Sequence, residues 1–314
     1  MVRLELKQMS FEKPRMPVAR LRYPGVLPNF LQVVILAVVQ GLAELLPVSS
    51  SAHVIVAEKL MGLDPSTPAM VLLLVMLHTG TMFAVIVYFW TRWRQAYFSS
   101  IAAFKRVATS IVFATAITGF VGKILIQLIE KYGFRDSSNA EIEQLFGHLE
   151  IVSIALAAAG ILIIAAGLHE RRRRRGQDNI GIGLLKAGLI GAVQGLCLTF
   201  RGFSRSGATI SAALLTDVAR QQAENFSFAL AVILTPAVVG REALRVLRAH
   251  GKGDLAGTGG VLLPSIVGAL VAFIAGLVAL KWLSKWLETG RWYVFGVYCL
   301  LAAAIVAALK MAGF

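Results

Sequence analysis

The sequence predicts an all-α, polytopic integral membrane protein: an inverted-topology repeat with about six transmembrane helices and two re-entrant helix hairpins. Three observations lead there. Hydrophobic residues are 57% of the 314, charged residues 15%, and mean hydropathy is +0.73, outside the soluble globular range. Several stretches are apolar and long enough to cross ~30 Å of hydrocarbon. Finally, Val39-Gln40-Gly41-Leu42 returns 154 residues later as Val193-Gln194-Gly195-Leu196, close to half the chain length. Each copy leads into a hydroxyl-rich break in an apolar segment, and such breaks at matching positions mark the binding site of repeat-built membrane proteins.

Residues 1–28 mix charges with prolines and read as a polar, basic tail rather than a targeting segment. The first repeat, 29–170, opens with hairpin 29–62, broken at Pro47-Val48-Ser49-Ser50-Ser51. Proline removes a helical hydrogen bond and clustered hydroxyls re-satisfy freed backbone groups. Spans follow at 69–90, 107–129 and 149–168; Ala69–Trp90 contains no Asp, Glu, Lys or Arg. The loop 130–148 is acidic (Glu130, Asp136, Glu141, Glu143), and 171–179 is an Arg-rich linker. The second repeat, 180–314, opens with hairpin 180–219, broken at Arg201-Gly202-Phe203-Ser204, and continues with spans at 226–244 (the shortest), 259–283 and 292–309.

A hairpin plus three spans gives each half an odd number of crossings, which inverts the second half relative to the first. The positive-inside rule pulls the other way. If both interrupted segments cross fully, the basic tail and the 241–252 loop fall in the cytoplasm; if both are hairpins, they fall outside. The net charge of +14 gathers in loops, at Arg171–Arg175 and at Arg92, Arg94, Lys105 and Arg106. That pattern points to topology and anionic lipid, not to nucleic acid. Cys197 and Cys299 lie in apolar segments and read as packing residues.

Glu44 stands inside an apolar stretch, where a carboxylate marks a functional site by default. Gln40, one turn earlier, shares its face. The competing reading is a carboxylate paired with a cation to fix packing. His53 follows Ser49–Ser51 at a spacing that returns it to the same cavity as an acid/base candidate, whereas His78 reads as a packing or supporting residue. In Ser204-Arg205-Ser206-Gly207-Ala208-Thr209, a guanidinium fork, three hydroxyls and a helix start form a phosphate cradle. Together these groups suit phosphoryl transfer on an anionic substrate reached within the membrane.

These motifs resemble the undecaprenyl-diphosphate phosphatase family of the bacitracin-resistance type. Its Glu/Gln-x-x-x-Glu, P-V-S-S and histidine pattern reads Gln40…Glu44, Pro47-Val48-Ser49-Ser50 and His53, and its P-G-x-S-R-S-x-x-T pattern reads Arg201 through Thr209. The resemblance implies hydrolysis of the terminal phosphate of a C55 polyprenyl diphosphate, regenerating a monophosphate carrier for the cell envelope. It further implies a bacterial inner-membrane location, an active site toward the periplasmic face and a divalent cation, Mg2+ or Ca2+. Carried over by position, Glu44, Ser50, His53 and Arg205 form the catalytic core, with Glu44 as metal ligand. Gln40, Ser49, Ser204, Ser206, Thr209 and Arg201 are expected to bind substrate. Polyprenyl diphosphate and membrane lipid are the expected partners, and a homodimer is a further expectation.

The chain departs from the family in three places. Gln40 stands where many relatives have glutamate, Arg201 stands for the usual proline, and the tail 1–28 is long. Two readings of Arg201 stay open: an extra cation that holds substrate phosphate, or a side chain that snorkels to the interface. The alternative function is a polyprenyl-phosphate transporter or flippase that hydrolyses nothing, because inverted repeats with broken helices also build transporters. The histidine-nucleophile lipid phosphatases carry a Ser-Arg-x5-His-x3-Asp spacing; counted from Arg205 the histidine position is Ser211, and that reading is discounted.

Overall fold

In the computed structural model, residues 28–64, 67–133, 149–172, 181–250 and 259–312 are described. They form α1 (Phe30–Leu45), α2 (Ser50–Leu60), α3 (Pro68–Ala96), α4 (Ile101–Gly133) and α5 (Leu149–Arg172). A second series follows: α6 (Leu184–Thr199), α7 (Arg205–Leu215), α8 (Arg220–His250), α9 (Gly259–Glu288) and α10 (Tyr293–Met311). No strand occurs among the described residues. The expected all-α membrane architecture is borne out.

Local sequence explains where the helices start. Asn29 and Gln32 form a reciprocal capping box at α1, and Thr67 caps α3 with Pro68 in its first turn. The helices α1 and α6 each have 16 residues, about 24 Å at 1.5 Å per residue, short of a hydrocarbon core. Among the described residues, five helices are long and apolar enough to cross: α3, α4, α5, α9 and α10. They correspond to the spans expected at 69–90, 107–129, 149–168, 259–283 and 292–309. The sixth expected span, 226–244, lies within α8, which continues through Pro236 to His250. Part of the expected 241–252 loop is therefore helix. The tail 1–27, most of the acidic loop and most of the Arg linker lie outside the described residues.

Many large apolar side chains face outward, among them Phe83, Trp90, Phe120, Ile154, Leu270 and Leu301. Hydrocarbon solvates them as well as another helix would, so contacts between helices depend on close approach rather than on hydrophobic burial. Small residues supply that approach. A Cβ on Gly160 would lie 2.8 Å from the Gly296 carbonyl across the α5–α10 crossing, and one on Gly41 would lie 2.6 Å from Ala275 Cβ across α1–α9. Gly80 likewise presses against the Ala269 backbone of α9. Across α4–α6, Thr118 of α4 donates to the Gly191 carbonyl at 2.9 Å and accepts from Gln194 at 3.3 Å, both on α6.

Polar ties hold the remaining crossings. Buried Glu224 of α8 accepts from Arg92 of α3 at 3.1 Å and from Ser284 of α9 at 2.5 Å. Arg220 of α8 pairs with Glu170 of α5. These contacts lie away from the two hairpin breaks and account for charged residues that the motifs leave unused.

Candidate active site

The breaks after α1 and α6 meet in the interior. In the first, α1 ends at Leu45 and Ser49 takes a positive φ of 67° before α2 begins. A β-carbon-bearing residue there costs on the order of 1–3 kcal/mol, and such strain gathers at functional sites. In the second, Gly202 takes φ 102° and packs against the Val152 backbone of α5, where a Cβ would fall 2.5 Å from the carbonyl oxygen. Ser204 then caps α7 by accepting from the Gly207 amide at 3.3 Å. The two tips are joined directly: Gly202 N–H donates to Ser51 Oγ at 3.2 Å and Ser206 Oγ donates to the Leu46 carbonyl at 3.2 Å.

Glu44 is the centre of this junction. Its Oε1 accepts from Arg205 Nη2 at 2.8 Å, and its Oε2 accepts from Ser50 Oγ at 2.5 Å and from Gln40 Nε2 at 3.2 Å. His78 Nε2 of α3 lies 3.8 Å from the same Oε2. Glu44, His78, Thr81, Met82, Arg205 and Thr235 line one narrow cleft. The ion pair therefore does link the two halves, as the packing reading of Glu44 supposed. More than packing is present, however: the buried Arg205 Nη1 has no hydrogen-bond partner among the described residues. A buried guanidinium nitrogen without a partner is costly in a fold and useful in an anion site.

The other expected residues divide into two groups. Ser204, Ser206 and Thr209 are brought to the junction, but they are buried and their hydroxyls are committed to the fold; Thr209 bonds the Arg205 carbonyl at 2.8 Å and Ser227 at 2.5 Å. Ser49 is buried, with its Oγ 3.3 Å from Ser51 Oγ. Arg201 is exposed, and its charge acts on buried Glu58 of α2. His53 is on the same hairpin, yet its ring nitrogens are taken by the Ser49 carbonyl at 2.8 Å and the Tyr298 hydroxyl at 2.7 Å rather than by Glu44.

Two participants were not assigned to the site from sequence. His78 sits in a charge-free span with nothing local to mark it, and only the α1–α3 packing sets it opposite Glu44. Tyr298 is 245 residues from its partner His53, and no local signal could have found it.

The donor set also bears on a cation. Among the described residues no group of three or more His, Cys, Asp and Glu side chains could hold a metal ion. Glu44 with His78 and the Ser50 hydroxyl cannot cage one unaided. A lone carboxylate is a donor set that an ion of the Mg2+ type would have to complete with water and substrate phosphate.

Comparison with known proteins agrees with the motifs. The family described as Bacitracin resistance protein BacA matches residues 33–305. A relative named "Undecaprenyl-diphosphatase 2" from Acinetobacter baylyi is 58% identical over 285 residues, covering 90% of this chain and 98% of the relative. Proteins named "Undecaprenyl-diphosphatase" from Rhodopirellula baltica and Korarchaeum cryptofilum are each 32% identical, covering 90% and 88% of this chain and 99% and 98% of their own lengths. With a family match across nearly all of the chain and the paired hairpin motifs in contact, the protein belongs to the bacitracin resistance protein BacA family.

Proposed function

We propose that this protein is an undecaprenyl-diphosphatase, releasing the terminal phosphate of a C55 polyprenyl diphosphate to leave the monophosphate. One observation carries the reading. Glu44 receives Ser50 from its own hairpin and Arg205 from the other, and Arg205 Nη1 beside them has no partner among the described residues.

The chemistry follows from these groups. Arg205 Nη1 grips an oxygen of the terminal phosphate and stabilises charge that builds there in the transition state. Ser50 Oγ, at 2.5 Å from Glu44 Oε2, has the separation of a nucleophile from its base. Glu44 takes the hydroxyl proton as Oγ bonds to the terminal phosphorus; the bond to the bridging oxygen breaks, and polyprenyl monophosphate leaves. Water then frees inorganic phosphate from Ser50 and the proton returns. His53, one helical turn beyond Ser50 on α2, is the acid/base group of the same hairpin. A bound divalent cation would be held by Glu44, with Ser50 and His78 beside it, and would neutralise diphosphate charge. Ser49, Ser204, Ser206, Thr209 and Gln40 shape the cradle.

The finer architecture belongs to the same proposal. Helix lengths run 16, 11, 29, 33 and 24 residues in α1–α5, and 16, 11, 31, 30 and 19 in α6–α10. This parallel order supports a repeat divided at the Arg linker, with 29–62 and 180–219 as re-entrant hairpins and α8 as the sixth span. The bacterial inner membrane is the proposed location, with the site open to the periplasmic face and a homodimer as the proposed assembly.

Purified protein in lipid nanodiscs, given C55 diphosphate, is expected to release phosphate as monophosphate accumulates by mass spectrometry. Chelator is expected to stop turnover and Mg2+ to restore it. Transport of the lipid with no phosphate released would replace this reading with the transporter one. Replacing Arg201 with proline removes a rim charge of the size that exposed pairs contribute. A KM rise of about two- to fivefold with kcat unchanged is expected; an unchanged KM would remove Arg201 from substrate binding.

A further inference from the structure

Tyr298 of α10 reaches His53, a chemistry-bearing group of the first hairpin. Its hydroxyl lies 2.7 Å from His53 Nε2, and the two rings are 12° from parallel with centroids 5.7 Å apart. The neighbouring Cys299 Sγ donates to the Pro47 carbonyl at 3.2 Å, so α10 touches both the break and the start of α2. The α5–α10 crossing holds that position: Ser153 donates to the Ala303 carbonyl at 2.9 Å, and Gly160 lies against Gly296.

The hydrogen bonds dictate where the imidazole proton sits. A carbonyl oxygen only accepts, so the 2.8 Å contact from His53 Nδ1 to the Ser49 carbonyl requires the proton on Nδ1. In the neutral ring Nε2 then bears the lone pair, and the Tyr298 hydroxyl must donate to it. The same carbonyl accepts from the His53 amide at 3.4 Å in the first turn of α2. Nε2 is consequently the only ring nitrogen able to gain or pass on a proton. A phenol suits it in both states, donating while Nε2 is bare and accepting once Nε2 is protonated, by rotation of the hydroxyl hydrogen alone.

We infer that Tyr298 is a positioning residue for His53: its hydroxyl orients the imidazole and engages Nε2, making the last helix part of the apparatus that serves the first hairpin. The inference rests on the phosphatase reading for its kinetic consequence, though not for its geometry. Because Tyr298 acts through His53, its loss should slow the chemical step rather than weaken substrate binding.

The test is Tyr298→Phe in the full-length protein in nanodiscs, which keeps the ring and removes the hydroxyl. Expected is a fall in kcat of about tenfold, the scale of one net hydrogen bond, with KM within about twofold of wild type. Expected also is a shift of the His53 15Nε2 resonance toward a free lone pair, with Nδ1 still protonated. An unchanged 15Nε2 resonance overturns the proposal, as does wild-type kcat, or a drop in kcat that follows lost thermal stability alone. If wild-type protein released no phosphate at all, the phosphatase reading would fail, and the 15N comparison would still decide whether Tyr298 holds His53.

Discussion

Arg205→Ala is expected to lower phosphate release at least about a hundredfold. Removing one preorganised donor to a developing oxyanion costs on the order of 10²–10³ in rate, and Arg205 presents two nitrogens to the junction. One holds Glu44 at 2.8 Å, and the other has no partner among the described residues. The alanine variant also leaves Glu44 without its cation, and breaking a buried pair costs roughly 3–5 kcal/mol of stability. Monodispersity and melting temperature must therefore be measured beside activity. Arg205→Lys separates the two effects: it restores a positive charge for Glu44 but offers a point charge where a planar fork is needed. Recovered stability with activity still reduced more than about tenfold is the expected pattern. Full activity in the lysine variant would show that charge alone suffices.

Glu44→Gln is expected to be at least as damaging, with activity reduced by about 10²–10⁴, whereas Gln40→Ala should cost no more than about tenfold. Glu44 takes three hydrogen bonds, from Arg205, Ser50 and Gln40. An amide of the same shape cannot accept the Ser50 proton or neutralise Arg205. Gln40 contributes one 3.2 Å bond to that carboxylate, and its loss leaves the Ser50 and Arg205 contacts in place. Near-normal, cation-dependent turnover by the Glu44→Gln protein would remove Glu44 as both base and metal ligand. A Gln40→Ala loss as large as that of Glu44→Gln would move the key contact one turn back along α1.

Much of the site was legible because its signals are local. A carboxylate inside an apolar stretch, a proline followed by three serines, and an arginine among hydroxyls and glycines each depart from what a packed helix requires. Both helix breaks fell where the hydroxyl-rich segments placed them, and α7 starts at Arg205 with Ser204 as its cap. Less legible was what each hydroxyl does. Sequence offers Ser204, Ser206 and Thr209 equally to a substrate, while the fold spends their hydrogen bonds on a cap, on the Leu46 carbonyl and on Ser227. Arg201 was likewise readable as a cation but not as one acting on Glu58.

Sequence by itself determined the membrane class, the positions of the five apolar spans and the two motif-bearing breaks, because hydropathy and turn chemistry act over a few residues. Only the tertiary structure decided which groups meet. Glu44 and Arg205 are 161 positions apart, and His53 and Tyr298 are 245 apart. In hydrocarbon a helix face gains little by choosing a helix over lipid, so apolar pattern does not encode the partner. The choice lies in where small residues let backbones close, as where Gly41 of α1 meets α9 and Gly160 of α5 meets α10. Those few close approaches bring two breaks half a chain apart into hydrogen-bonding distance.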